Sequence, residues 1–129
     1  MNGRFMLDTN AVIAFFSGEE SVKDILRSAK LIYVPVPVIG ELYYGVYCSK
    51  KVESNKRRID ELLRSVEILD CDLETSKFYA EIKKNLRVKG TKIPENDVWI
   101  AALSMQYNLT LITRDKHLFN VKEINLQQW

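Results

Sequence analysis

Four acids in this chain stand where the surrounding apolar pattern would not place a solvated charge: Asp8, Glu41, Asp97 and Asp115. Asp8 ends the run Phe5-Met-Leu7 and is followed by Thr9, Asn10 and the apolar stretch Ala11-Val-Ile-Ala-Phe-Phe16, which puts it in a strand-to-helix turn. In open α/β sheets that turn, just past the carboxyl end of a strand, is where ligands bind. A second stretch repeats the arrangement: the β-rich Thr110-Leu-Ile-Thr113 is followed by Arg114-Asp115 and a helical turn, Lys116-His-Leu-Phe119. If the two strands are parallel neighbours, Asp8 and Asp115 point into one crevice. Asp97 opens a further helix, and Glu41 follows the second strand by two turns at most, close enough to lean over the same edge. Two unit charges roughly 4 Å apart repel by about 1 kcal/mol at the dielectric of water and by about 4 kcal/mol at an effective value near 20. Four gathered carboxylates therefore call for a cation. An all-oxygen ligand set without paired His or Cys points to a hard ion, magnesium or manganese (Mg2+ or Mn2+). Acids with such an ion suit phosphoryl chemistry, in which one or two metals activate water and steady the leaving oxygen of an in-line displacement.

Taken singly, each acid has a simpler role. Asp8 or Asn10 can cap the first helix, and Asp115 the turn that follows it. Asp97 can complement a helix dipole, an effect worth under about 1 kcal/mol, and Glu41 can face water. What favours a joint role is position, since three of the four fall at strand carboxyl ends or helix N-termini. The chain shows no nucleophilic Ser or Cys triad and no glycine-rich phosphate loop, which argues against a nucleotide triphosphatase. The single histidine, His117, reads as a surface residue of the last turn.

A length of 129 residues suits a single domain, 1–129, large enough to bury a core without disulfide or metal staples. Apolar residues at 47% and charged residues at 28% are ordinary for a globular chain, so intrinsic disorder is not expected. No apolar run approaches the roughly 20 residues a bilayer span needs, and the first sixteen residues lack the charge pattern and cleavage site of a leader. The expectation is a cytoplasmic protein without a membrane partner. Cys48 and Cys71 have no metal-site spacing and read as free thiols in a reducing compartment. A net charge of +2 decides little, but the cations are unevenly spread. Lys50, Lys51, Lys56, Arg57, Arg58 and Arg64 crowd one segment, and Lys83, Lys84, Arg87, Lys89 and Lys92 another. A basic rim around an acidic centre suits a polyanion whose phosphate must reach a metal. Lys83, Lys84, Arg87 and Arg114 are the candidates for phosphate contact. Interleaved acids such as Glu53, Asp60, Glu61 and Glu81 allow the alternative that these are solvated helix faces.

The elements that must position the acids alternate in type. Strands are expected at about 4–8, 31–34, 66–69 and 110–113, with 124–126 as a further short one. Between them, helical periodicity covers about 10–17, 19–29, 38–48, 52–65, a long stretch capped by Asp72 and stopped at Gly90, and 98–107. Gly40 and Gly45 would let another backbone approach the third helix. The helix after Asp97 is apolar nearly all round, hence buried on most sides. Alternation of this kind favours an α/β fold, with a mostly parallel central sheet of four to five strands covered by helices on both faces.

Four blocks, in order and at the expected size, resemble those of a PIN-domain ribonuclease of the VapC toxin type. They are Met6-Leu-Asp8-Thr9-Asn10, Glu41-Leu-Tyr-Tyr-Gly45, Ile93-Pro-Glu-Asn96-Asp97-Val-Trp-Ile-Ala-Ala102 and Leu111-Ile-Thr113-Arg114-Asp115-Lys-His-Leu-Phe119. The resemblance implies a PIN-like α/β/α sandwich and a metal-dependent endoribonuclease, the toxin of a toxin–antitoxin pair. It further implies that Asp8, Glu41, Asp97 and Asp115 are the metal-binding and catalytic acids, and that Thr9, Asn10, Asn96 and Thr113 are the polar residues around them. A homodimer and a protein antitoxin covering the site are implied as partners. The rival readings are a PIN nuclease that is not a toxin and an inactive PIN scaffold binding RNA or protein. A phosphatase with Asp8 as nucleophile would usually carry a second acid where Asn10 stands. A receiver-like signalling domain would not require Glu41 and would carry a lysine after a late strand.

Overall fold

The computed structural model describes residues 3–129, so the first two residues of the segment read for a leader fall outside it. Phe5, Met6 and Leu7 are buried in strand β1 (Arg4–Leu7), which lies at the centre of a five-stranded sheet with strand order β3-β2-β1-β4-β5. The other strands are β2 (Leu31–Pro35), β3 (Glu67–Leu69), β4 (Thr110–Ile112) and β5 (Asn125–Gln127). All four pairings are parallel, so the sheet goes beyond the mostly parallel one expected. Central strands are apolar on both faces because both are covered, as β4 shows with every residue buried. The edge strand β3 leaves Ile68 half exposed.

Helices α1 (Thr9–Phe16) and α2 (Glu20–Arg27) connect β1 to β2; α3 (Val36–Tyr47) and α4 (Val52–Arg64) connect β2 to β3. The chain then returns across the sheet through α5 (Leu73–Val88) and α6 (Glu95–Gln106) to β4. Right-handed crossovers place helices of opposite travel on opposite faces. The packing groups α1 with α2 and α3, α3 with α4, and α5 with α6, while α3 also meets α6 where Asn96 donates to Glu41. The α6 interior is the most buried helical surface, carrying Val98, Ile100, Ala101, Ala102 and Leu103 into the core. A single 3-10 turn, Leu118–Asn120, replaces the helical turn expected at 116–119 and seals the core with Leu118.

Local chemistry sets the boundaries. Asp72 accepts from the Thr75 backbone while the Thr75 hydroxyl accepts from the Asp72 backbone, a reciprocal cap that starts α5. Gly90, at φ +70°, ends that helix in a conformation costly for other residues. The α3 helix starts two residues earlier than its apolar pattern indicates, because Pro35 caps it and Pro37 is tolerated in its first turn. Gly40 and Gly45 face open space, and among the described residues no backbone approaches them, which corrects the expectation drawn from them. Among the described residues no helix is long and apolar enough to cross a membrane.

The reversal of strand order falls between β1 and β4. From β1 the chain winds outward through β2 to β3, then crosses back to β4 on the other side. Such a switch point leaves a crevice at the carboxyl ends of the two strands, where neighbouring connections part in opposite directions. The register pairs Leu7 with Ile112, so Asp8 and Thr113 emerge side by side.

Candidate metal centre

Asp8 is the N-cap of α1. Its Oδ1 accepts from the Ala11 backbone at 2.8 Å, and its Oδ2 accepts from the Thr113 hydroxyl. Capping and site geometry are thus one arrangement, since the same turn that starts the helix aims the carboxylate across the switch point. Asp8 is only 5% exposed. Burial pushes its carboxyl above the ordinary range despite both hydrogen bonds, and the charges of Asp115 and Glu41 add to the push.

Thr113, fully buried, joins two of the acids. Its hydroxyl donates to Asp8 and accepts from the Asp115 backbone at 3.0 Å. Asp115 then folds back on its own turn, its Oδ1 accepting from the His117 backbone at 2.9 Å. Asp97 enters from the first turn of α6, which Pro94 caps. Its carboxyl is pushed up to about 6 by burial first, then by Asp115, with Glu41 and Asp8 contributing further and His117 opposing. Glu41, exposed on α3, is fixed from two sides: its Oε2 accepts from the Thr9 hydroxyl at 3.0 Å and its Oε1 from the Asn96 amide.

The structure therefore brings Asp8, Glu41, Asp97 and Asp115 into one crevice with Thr9, Asn96 and Thr113 around them. Asn10 does not join them: it stands exposed in the first turn of α1 and, among the described residues, makes no side-chain hydrogen bond. His117, read from the sequence as a surface residue, belongs to the cluster. Its Nδ1 lies 3.1 Å from Asp115 Oδ1 and 3.9 Å from Asp97 Oδ2. Its separation of two residues from Asp115 was the available signal, because a side-chain-to-backbone turn of that span brings both side chains together.

Two of the basic candidates have acidic partners inside the chain. Arg114 donates to both carboxylate oxygens of Glu19 at 2.9 Å and lies 4.2 Å above the Trp129 ring, while the indole donates to Glu19 at 3.2 Å. Lys83 is paired with Glu95 and also donates to Tyr79. Lys84 and Arg87 are exposed, without an ion pair among the described residues. Arg87 shares a groove with Lys83, Lys92 and Ile93, between α5 and the start of α6.

Among the described residues, no Lys or Arg forms an ion pair with any of the four acids. Two of them hold protons more tightly than a free carboxylic acid does. Oxygen donors repelling one another at a partly buried site, with no lysine or arginine among the described residues to offset them, fit a divalent metal ion.

The PIN domain family model matches residues 5–124. Ribonuclease VapC2 of Rickettsia felis is 33% identical over 130 residues, covering 97% of each chain. Ribonuclease VapC2 of Haemophilus influenzae is 30% identical over 129 residues, covering 98% of each. Among solved structures, VapBC2 from Rickettsia felis, bound to a DNA fragment from its promoter, aligns over 98% of both chains with a TM-score of 0.89 at 31% identity. VapBC-1 from nontypeable Haemophilus influenzae aligns over 98% of both with a TM-score of 0.83 at 27% identity.

Proposed function

Since the chain belongs to the PIN-domain family, we propose that it is a magnesium- or manganese-dependent endoribonuclease and the toxin of a toxin–antitoxin pair, acting in the cytoplasm as one nuclease unit over its full length. The observation that carries this reading is the convergence of Asp8, Glu41, Asp97 and Asp115 at the β1–β4 switch point with, among the described residues, no lysine or arginine paired to them. Asp8, Asp97 and Asp115 would hold the ion, directly or through water, with Glu41 completing the site. When bound, the ion supplies a polarised water and neutralises charge developing on the phosphate. The chain's own residues supply rigidity. Thr113 locks Asp8 against the Asp115 turn, and Thr9 and Asn96 hold Glu41 from opposite sides. Carboxylates held in place need no rearrangement when the ion and substrate arrive.

Two measurements test the reading together. The purified protein should cleave mixed RNA with magnesium or manganese and stop with EDTA. Expression of the wild-type chain alone should arrest growth, and Asp8→Ala should relieve the arrest. Cleavage that survives chelation removes the metal reading. Free cleavage in vitro without any growth defect at high expression replaces the toxin with a nuclease of another role.

RNA binding here rests on phosphate attraction rather than base reading. With Arg114 paired to Glu19 and Lys83 to Glu95, Lys84 and Arg87 are the cations best placed to contribute. Changing both to glutamine should lower RNA affinity and flatten its dependence on log salt. The slope falls by roughly 0.7 for each phosphate of a single strand that a cation no longer neutralises. An unchanged slope returns both to a solvated face.

The partner reading has physical support in two surfaces. A groove between α1, α3 and α4, lined by Ile13, Phe16, Leu42, Val46 and Ile59, opens at Thr9 and Glu41 beside the acids. An amphipathic antitoxin helix fits such a groove, and an arginine at its end could reach the carboxylates, pairing through its planar fork in place of the metal. On α3, Val36, Gly40, Tyr44 and Tyr47 share an exposed face. The two tyrosines there are more than half exposed, and nothing among the described residues opposes Gly40. That face suits a second copy of the chain, as a homodimer requires.

A further inference from the structure

We propose that His117 is itself a ligand of the ion held by Asp97 and Asp115, and that its nitrogen gives the site a preference for manganese over magnesium. The inference rests on the metal reading above and goes beyond it, because the acids alone form an all-oxygen set. His117 Nδ1 stands 3.1 Å from Asp115 Oδ1 and 3.9 Å from Asp97 Oδ2, and one donor atom from each of the three residues lies within 4.8 Å of the others. An octahedral ion with bonds near 2.1 Å spaces neighbouring ligands roughly 3.0 Å apart and opposite ones roughly 4.2 Å apart. The 3.1 Å separation from Asp115 matches neighbouring ligands, and the 3.9 Å separation from Asp97 lies nearer the opposite spacing.

The backbone explains the placement. Asp115 accepts from the His117 amide at 2.9 Å, so the turn carrying the fourth acid also carries the imidazole on the same side. The His117 side chain is 54% exposed, whereas that of Asp97 is 15% exposed. The ring therefore stands at the mouth of the crevice, with Nδ1 already beside the acids that would seat an ion. Imidazole nitrogen is a good donor to first-row transition ions and a poor one to magnesium, which prefers carboxylate, phosphate and water oxygen. A nitrogen at this position thus discriminates between two ions that carboxylates alone treat similarly.

The chain contains one histidine, which makes the test unambiguous. Tag-free protein is titrated with Mn2+ alone and with Mg2+ alone by calorimetry, and the Mn2+ form is measured by pulsed electron paramagnetic resonance. Nitrogen-14 coupling from a directly bound imidazole is expected in the wild type and absent in His117→Ala. Loss of even an outer partner of a metal site lowers affinity by about 10–100-fold. His117→Ala should therefore weaken Mn2+ by at least about tenfold while leaving Mg2+ within about twofold. Mn2+ bound without nitrogen coupling overturns this inference and leaves the carboxylate site standing, with the imidazole only hydrogen-bonded to Asp115. Equal weakening of both ions by His117→Ala overturns the selectivity. A wild type that binds neither ion overturns this inference and the metal reading together.

Discussion

Asp8→Asn is expected to lower RNA cleavage by about three orders of magnitude while leaving the protein folded. The size follows from the several kcal/mol a metal ion supplies at a transferring phosphate, at about 1.4 kcal/mol for each factor of ten. The choice of substitution separates two roles that one side chain performs here. Asp8 caps α1 through the Ala11 amide and also faces the crevice. Asparagine caps a helix about as well as aspartate, whereas alanine loses about 1 kcal/mol at such a position. Asp8→Asn and Asp8→Ala should then be equally inactive, with only the alanine variant less stable, by that amount or more because it also leaves the buried Thr113 hydroxyl without its acceptor. Single-turnover cleavage and thermal unfolding of both variants check this. An active Asp8→Asn protein would reduce Asp8 to a helix cap and remove it from the chemistry.

The metal-free protein should grow less stable as pH rises from about 4 to about 6, the opposite of the usual carboxylate effect. The folded-state carboxyl of Asp97 sits at about 6 against an ordinary 3.8, so within that window the folded chain holds more protons than the unfolded one. Stability therefore falls with rising pH until Asp97 has ionised in both states. Asp8, raised by burial, acts in the same direction. Asp72, lowered by its cap, and the exposed Glu95, lowered by its hydrogen bond from Lys83, work the other way, but their contributions are lost only as pH drops to the ordinary carboxylate range and below, so the fall is clearest at the upper end of the window. Saturating divalent ion should cancel the fall. At a hundred times its Kd a ligand stabilises by about 2.7 kcal/mol, on the order of 10 °C in Tm for a domain of this size. The gain should be larger at pH 7.5 than at pH 5, where protons compete for the same oxygens. Unfolding scans at both pH values, with EDTA and with excess Mn2+, make the comparison. A metal-free protein more stable at pH 7.5 than at pH 5 would mean that the acids support the fold and do not strain it.

The local turns are legible in the residues alone. An apolar run cut short at Asp8, a second cut short after Thr113, and Pro94 ahead of Asn96-Asp97 each set a strand or helix end through neighbouring residues, and each end carries an acid. The alternation of strands and helices dictates the layered parallel sheet for a related reason, since parallel strands need crossovers. Whether Asp8 and Asp115 share a crevice depends on β1 and β4 lying side by side. That adjacency comes from the chain winding to β3 and crossing back, and is settled by burial of both strands under helices far apart in sequence. Tertiary packing also selects which polar residues matter. Thr113 is buried between two acids and Asn96 reaches Glu41, whereas Asn10, equally suggestive in the sequence, turns to solvent. The pairing of Arg114 with Glu19 beneath Trp129 joins residues about a hundred positions apart, and no local pattern encodes it. His117 shows the division most clearly. Its spacing from Asp115 is legible in the sequence, but its approach to Asp97 exists only because α6 packs its first turn against the end of β4, bringing two distant carboxylates around one imidazole.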